Sequence, residues 1–449
     1  MQMPTTAEAH SGSGVTTRRL TWSDAGYAAA AFILVAAAVM LTVRFEPLRI
    51  GLRPLANWID VFQVQSLVGL GAAGILFWLS RFASARVRAG AGAACVAAVV
   101  VMMLALPLDQ AIRMGDSGTY TSSRSNFDFY MGGATVRFEA HLSSMLLRGL
   151  DRVLGATADS PRRAFTWLMR AAAIWCGVML LLAGWAGGWS PATLRYLSLV
   201  IGAPVTLMYF GYRELGYLSL NAAAVPLVFA GFRGRRVLFE GGCAAAGLGA
   251  ALHGFGLLSL AGTALATLGA RLRVARRARL LVQAVAIGTS VYLVWIFVYV
   301  TVLRLDIVPG HAESIPWRPL FTNAAGEGRI NYAIASPRGA TDVLLSAWIT
   351  GLPLALFALA ALRRRADVAV PVLLYALPSA LFLIAFWPIQ GLAVEADLLF
   401  AACPGFFALA WMASRTARAT LWSLVFLASA HVIFWRVMLS DLFVNSRVS

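Results

Sequence analysis

The chain has 449 residues, of which 60% are hydrophobic and 13% charged, and its mean hydropathy is +0.75. That is more apolar side chain than a water-soluble globule of this size can bury, so a soluble domain is excluded and lipid must act as solvent. The formal charge of +17 comes from 37 arginines and no lysine against 20 acids; in so apolar a chain it reads as arginine in short connections between spans, and nucleic acid is not expected as a partner.

The first 23 residues are polar, rich in Thr, Ser and Gly, and carry Arg18-Arg19 ahead of an apolar run at 24–44. That run is long for the core of a cleaved signal peptide, so it is expected to stay as a signal anchor. A span needs about 20 mostly apolar residues, and further candidates follow at 61–80, 89–108, 165–187, 191–210, 215–232, 237–252, 254–270, 280–303, 343–362, 368–387, 397–414 and 419–438. Residues 237–270 are too long for one span, and a break at His253-Gly254 restores alternation of the connections. The expected fold is all-α: a polytopic transmembrane helical bundle of about thirteen spans, with a polar tail over 1–23 and one transmembrane domain over 24–449. Cys95, Cys176, Cys243 and Cys403 lie inside apolar runs without CxxC or CxxH spacing, so neither zinc nor a disulfide framework is expected.

Arg81, Arg86 and Arg88, the group Arg233 to Arg236, the five arginines from Arg271 to Arg279, Arg363 to Arg365, and Arg415 with Arg418 all fall on one face of such a bundle. Arginine density in tight connections marks that face as cytoplasmic, which puts the amino terminus inside and the carboxyl terminus outside a cell inner (plasma) membrane. All acids but Glu8, Asp24, Glu240 and Asp367 then map to the opposite face. So do two long connections, 109–164 and 304–342, and connections of that length are usually functional or disordered.

In the first long connection Asp116 sits between Gly115 and Gly118, near the membrane surface. A carboxylate there serves either as a general base or as the cap of a short helix starting at Ser117. Further on, Arg137 begins an amphipathic helix with Phe138, Leu142, Met145, Leu146, Leu150 and Val153 on one side and Arg137, His141, Ser144, Arg148 and Asp151 on the other. Too polar to span, it is expected to lie in the interface plane with its apolar face down; its polar stripe either lines a site for a phosphorylated lipid head group or is a solvated face. Arg213-Glu214, ringed by aromatics between two spans, is an interfacial anchor or part of a polar cavity. His253, at the next outer turn, is a packing residue or a ligand contact. In the second long connection His311, Glu313, Trp317 and Arg318 stand among prolines, a set suited to sugar stacking and phosphate pairing. Glu395 and Asp397 lie at the outer mouth of a late span, where charge is costly and marks a candidate site. His431 and Arg436 in the last span read as packing and snorkelling residues. No GxxxxGK[ST], HExxH or GxSxG motif occurs.

Four of these features together resemble the GT-C superfamily of membrane glycosyltransferases. Asp116-Ser-Gly-Thr-Tyr120 followed by Arg124 is similar to the acid-to-tyrosine-to-arginine opening of the superfamily's first catalytic loop, with Ser117 where a second acid commonly stands. Phe210-Gly-Tyr-Arg213-Glu214 resembles the FGYxE turn of bacterial members, and His253 matches their histidine at a helix mouth. Gly391 through Ala401 is similar to a late G…D-x-D-L-F-A segment, with Glu395 and Asp397 as its acids. The resemblance covers most of residues 89–414 and implies inverting transfer of a sugar from a polyprenyl-phosphate donor to a hydroxyl of a lipid, glycan or protein acceptor on the extracytoplasmic face. The expected site has Asp116 as general base, with Tyr120, Arg124, Arg137, His141, Arg213, Glu214, His253, His311, Glu313, Arg318, Glu395 and Asp397 binding substrate and phosphate. With Ser117 at the second acid position, a divalent metal is allowed but not demanded. The other readings are a transporter or flippase of a lipid-linked sugar, which calls for charges near mid-span, an O-antigen ligase or polymerase, and a non-catalytic envelope scaffold.

Overall fold

The computed structural model describes residues 53–82, 84–105, 123–131, 135–137, 141–204, 216–304, 306–308, 319–326, 329–337, 339–340, 343, 346–347, 350–361, 366–385 and 401–445. Asp116, Tyr120, Arg213, Glu214, His311, Glu313, Arg318, Glu395 and Asp397, together with the expected span at 24–44, lie outside the described residues.

The architecture is helical. In chain order the helices are α1 (Arg53–Phe82), α2 (Ala85–Ala105), α3 (Arg124–Met131), α4 (His141–Val153), α5 (Ser160–Ala186), α6 (Pro191–Ile201), α7 (Gly216–Gly231), α8 (Arg236–Leu252), α9 (Gly256–Gly269), α10 (Val274–Phe297), α11 (Leu354–Ala361), α12 (Ala366–Ala385), α13 (Cys403–Ala413) and α14 (Ala417–Asn445). Among the described residues, α2, α5, α10 with its π-helical extension Val298–Val302, and α12 are long and apolar enough to cross a membrane, and α7, α9 and α13 are shorter apolar helices. Large apolar side chains such as Trp78, Trp167, Trp185 and Leu356 face outward, which costs nothing where hydrocarbon is the solvent. Inside, the helices touch through small residues. A Cβ on Gly247 of α8 would overlap the backbone of Gly288 on α10, so these two backbones meet directly.

Two ribbons of three-residue strands interrupt the helical pattern. β1 (Thr135–Arg137) pairs in parallel with β2 (Asp306–Val308), with Thr135 opposite Asp306 and Arg137 opposite Val308. β3 (Ala324–Gly326) and β4 (Arg329–Asn331) form an antiparallel pair.

Several boundaries differ from the expectation. α1 begins at Arg53, eight residues before 61, and α10 takes in Arg276, Arg277 and Arg279, which were expected in a connection. Arginine is a good helix former and its long stem reaches water from within a helix, so it marks the end of an apolar run without ending the helix. α6 stops at Gly202, where a span to 210 was expected. The carbonyl freed there accepts a hydrogen bond from Nε2 of His431 at 3.0 Å, while Nδ1 of the same ring pairs with Ser66 Oγ at 3.0 Å, so an orphan helix-end carbonyl finds its partner inside the bundle.

The break expected at His253-Gly254 separates α8 from α9. The turn is tight: Gly256 N–H donates to the His253 carbonyl at 2.8 Å, and any side chain at Gly256 would run into the backbone of Gly249 and Ala250. α8 has 17 residues and α9 has 14, about 25 and 21 Å at about 1.5 Å per residue. Both fall short of the roughly 30 Å hydrocarbon thickness, whereas α10 with its extension has 29 residues and runs about 43 Å. The His253 turn therefore lies beside a longer helix, and the start of α4 packs against the end of α8 next to it.

Cross-element contacts sort the connections into two ends. Arg88 Nε donates to the Trp189 carbonyl at 3.1 Å, Arg195 Nε to the Ser414 carbonyl at 2.7 Å, and Arg276 Nη2 to the Phe232 carbonyl at 3.3 Å. These bonds tie the α1–α2, α5–α6, α7–α8, α9–α10 and α13–α14 connections, or helix turns next to them, to one another at one end. At the other end Ser143 of α4 reaches the last residue of α8, and β1 of the first long connection pairs with β2 of the second.

Candidate functional site

The loop-bearing end is organised around α3 and α4. Ser123 caps α3, its Oγ accepting the Asn126 N–H at 3.1 Å, which places Arg124 in the first turn and Asp128 one turn later. α4 ends at Gly155, which takes φ +91°, and the Ala156 N–H closes the turn on the Asp151 carbonyl at 3.1 Å. Ser160-Pro161 then opens α5, with proline in the first turn, where its missing N–H costs nothing. The sharp turn between α4 and α5 sets Asp151 and Ser160 side by side, facing Arg124.

Arg124 joins all three helices. Its Nε donates to Asp128 Oδ2 at 2.9 Å and its Nη2 pairs with Asp128 Oδ1 at 2.7 Å, while Nη1 reaches both Asp151 oxygens at 2.9 Å. The Ser160 hydroxyl donates to Asp151 as well. The side chain of Asp151 is 4% exposed and that of Asp128 is 49% exposed, so the inner pair sits in a poorly hydrated setting where a charge must be matched. The hydrogen bond to Asp128, and after it the bond and charge of Asp151, hold the guanidinium proton affinity above its ordinary value although burial opposes this. Phe127 closes the cluster from below, 5.3 Å from the guanidinium carbon. Arg124 was expected to bind substrate phosphate. Its nitrogens are instead committed to two carboxylates, and a phosphate would first have to displace Asp128.

Two residues of the α4 polar stripe, Ser144 and Asp151, are buried, so that part of the stripe is not a solvated face. Ser144 and Asp151 are each 3% exposed, whereas Leu146 is 39% and Val153 83% exposed. Asp151 turns toward the protein, because Arg124 and Ser160 supply partners for it there, and Leu142 and Leu147 are buried on the same helix, while Leu146 and Val153 face outward, where an interfacial helix meets lipid. Arg148 is half-buried on this helix, and burial, then the nearby Arg152, lowers its proton affinity.

The start of α4 is fixed over the α8–α9 turn. Ser143 Oγ donates to the Leu252 carbonyl at 2.7 Å, and Leu142 packs with Ala250, Ala251 and Tyr292. Immediately beyond is His253, in extended conformation at φ −155°. Its Nδ1 accepts the Phe255 N–H at 3.2 Å, and its ring lies 4.6 Å from that of Phe255, which meets Phe382 of α12 at 5.2 Å. An Nδ1 that accepts fixes the neutral tautomer, with the ring proton on Nε2.

Through α4 the structure brings the Arg124 cluster, Arg137 in β1, the His141 position at the helix start and the His253 turn to one end of the bundle. β1 and β2 add the second long connection to the same end, with His311 following Val308 by three residues. The chain matches no family model and no curated protein. The site therefore rests on its own residues. Among the described residues no group of three or more His, Cys, Asp or Glu side chains is placed to hold a metal ion.

The sequence reading missed Asp128, Ser160 and Asn221. The four-residue spacing of Arg124 and Asp128 was available as a helix-pairing signal, but the contact of Asp151 with Ser160 depends on the turn between two helices. Asn221 on α7 is fully buried, and among the described residues neither its amide nitrogen nor its oxygen has a hydrogen-bond partner. Hydrophobic patterning does not flag it, because one amide in an apolar run leaves the run intact.

Proposed function

We propose that the chain is a GT-C-type membrane glycosyltransferase of about thirteen spans in the inner (plasma) membrane. Its amino terminus is cytoplasmic, its carboxyl terminus extracytoplasmic, and a sugar passes from a polyprenyl-phosphate donor to an acceptor hydroxyl on the outer face. The observation that carries this reading is the β1–β2 ladder, which joins the two long connections beside the His253 turn. A lipid-linked sugar phosphate cannot leave the membrane, so its enzyme needs a polar site at interface depth that opens to lipid. A short hairpin whose turn meets the start of α4, a helix that buries Asp151 and turns Leu146 and Val153 outward, supports that reading.

In the proposed reaction Asp116 takes the acceptor proton as the hydroxyl oxygen attacks the anomeric carbon, and the polyprenyl phosphate departs from the opposite side with inversion. Arg213 and Arg318 match the charge growing on the phosphate, a role for which Arg124 is poorly placed because Asp128 and Asp151 hold it. His253 contributes the Nε2–H of its neutral ring as a donor, and Trp317 stacks on the sugar.

The test is transfer by the purified full-length protein in lipid, with a labelled polyprenyl-phosphate sugar and an envelope lipid or glycan extract as acceptor. Asp116→Asn is expected to slow transfer about 10²–10⁴-fold. Equal rates for variant and parent remove Asp116 as the base. Movement of the labelled lipid across the bilayer without transfer establishes the flippase reading instead.

A further inference from the structure

At the end opposite the candidate site, the α7–α8 and α9–α10 connections form one basic patch. Arg233, Arg235 and Arg236 from the first and Arg271, Arg273 and Arg276 from the second are all exposed. The two connections are tied together: Arg276 Nη2 donates to the Phe232 carbonyl, and Gly234, at φ +100°, gives the turn that the same guanidinium lies against. Glu240 beside them already pairs with Arg236 at 2.7 Å and accepts from Gln283 at 3.3 Å. Like charges held this close repel unless an anion is shared between them.

The patch continues into an apolar surface. From Arg279, α10 presents Val282, Val285, Leu293 and Phe297 outward at helical spacing, 49% to 66% exposed, and it is the least buried of the four long apolar helices. Sorting of membrane topology requires arginines in number, but it does not require that two connections converge or that an open apolar stripe start one turn below them. An acidic soluble protein would engage the arginines and leave the stripe unused. A glycerophospholipid uses both, with its phosphate among the guanidinium groups and its acyl chain along the helix.

We propose that this patch binds an anionic phospholipid of the leaflet it faces, with the phosphate held between the start of α8 and the start of α10 and one acyl chain on the outer face of α10. The proposal does not depend on the glycosyltransferase reading.

The test is thermal unfolding of the purified full-length protein titrated with phosphatidylglycerol or with phosphatidylcholine of the same chains. Phosphatidylglycerol is expected to raise the melting temperature saturably and phosphatidylcholine is not. In Arg235→Gln/Arg273→Gln, which removes one cation from each connection, the apparent affinity should fall about thirty-fold. The control Arg86→Gln/Arg418→Gln removes as much charge from other arginine-rich connections and should keep it. An equal response to both lipids, or an equal loss in the control, overturns the site. Soluble glycerol phosphate that reproduces the full shift also overturns it, since a bare anion site then suffices. If the patch variant does not fold, the comparison of the two lipids on the parent protein still decides.

Discussion

Arg124 is the residue on which the loop-bearing end is assembled, because its guanidinium holds the buried Asp151 against the first turn of α5. Removing one partner of a buried pair leaves the other charged and poorly solvated, which typically costs about 3–5 kcal/mol. Arg124→Ala is therefore expected to lower the stability of the purified protein by about 3 kcal/mol. Asp128→Ala, which breaks an exposed pair four residues apart, should cost under about 1 kcal/mol. Equal losses in the two variants, measured by thermal unfolding under one condition, would contradict an inner clamp with an outer accessory. At this scale the sequence carried less than its motifs suggest. Arg124 was visible as an arginine after an acid and a tyrosine, and Asp128 four residues on was within reach of a helix, yet its inner partner Asp151 was decided by a turn more than twenty residues away. His431 was legible as a packing residue, since a histidine in a long apolar run has few other uses, although its partners on two other helices were not.

Among the elements, α4 shows what periodicity can and cannot say. The spacing of Phe138, Leu142, Met145, Leu146, Leu150 and Val153 marked a helix expected to begin at Arg137; the structure places the helix at His141–Val153 and Arg137 in β1, where pairing with β2 takes its backbone. Which side faces the protein is not written in the helix itself. It depends on Arg124 and Ser160, which draw Asp151 inward. A spin label at Val153→Cys should therefore show high accessibility to oxygen and low accessibility to a water-soluble nickel relaxant in lipid, with the reverse at Arg152→Cys. Water-exposed behaviour at Val153 would return the helix to the ordinary solvated orientation. Helix ends were the least legible feature, as α1, α6 and α10 illustrate, because an apolar run reports where lipid begins, and hydrogen bonding decides where a helix stops.

In the molecule as a whole, the sequence conveyed the helical, apolar character, since hydropathy is summed over many residues. The parallel pairing of Thr135–Arg137 with Asp306–Val308 was not legible, because three-residue strands leave no periodic trace and their partner lies far along the chain. In a background lacking the native cysteines, Thr135→Cys with Asp306→Cys should cross-link under mild oxidation, because directly opposed residues bring their Cα atoms within about 7 Å. Thr135→Cys with Val308→Cys, two positions out of register, should cross-link far more slowly. Equal yields for both pairs would dissolve the ladder and with it the main support for a shared outer site.

His431 holds Ser66 of α1 with one ring nitrogen and the Gly202 carbonyl at the end of α6 with the other, each at 3.0 Å. A slip of α14 by a single residue would move that ring about 1.5 Å along the axis, enough to part both bonds, whereas a tilt centred on the ring keeps them. These three helices thus behave like the leaves of a hinge on a common pin. Drawing any one of the three lengthwise past the others breaks at least one of these bonds, so the three keep one axial register.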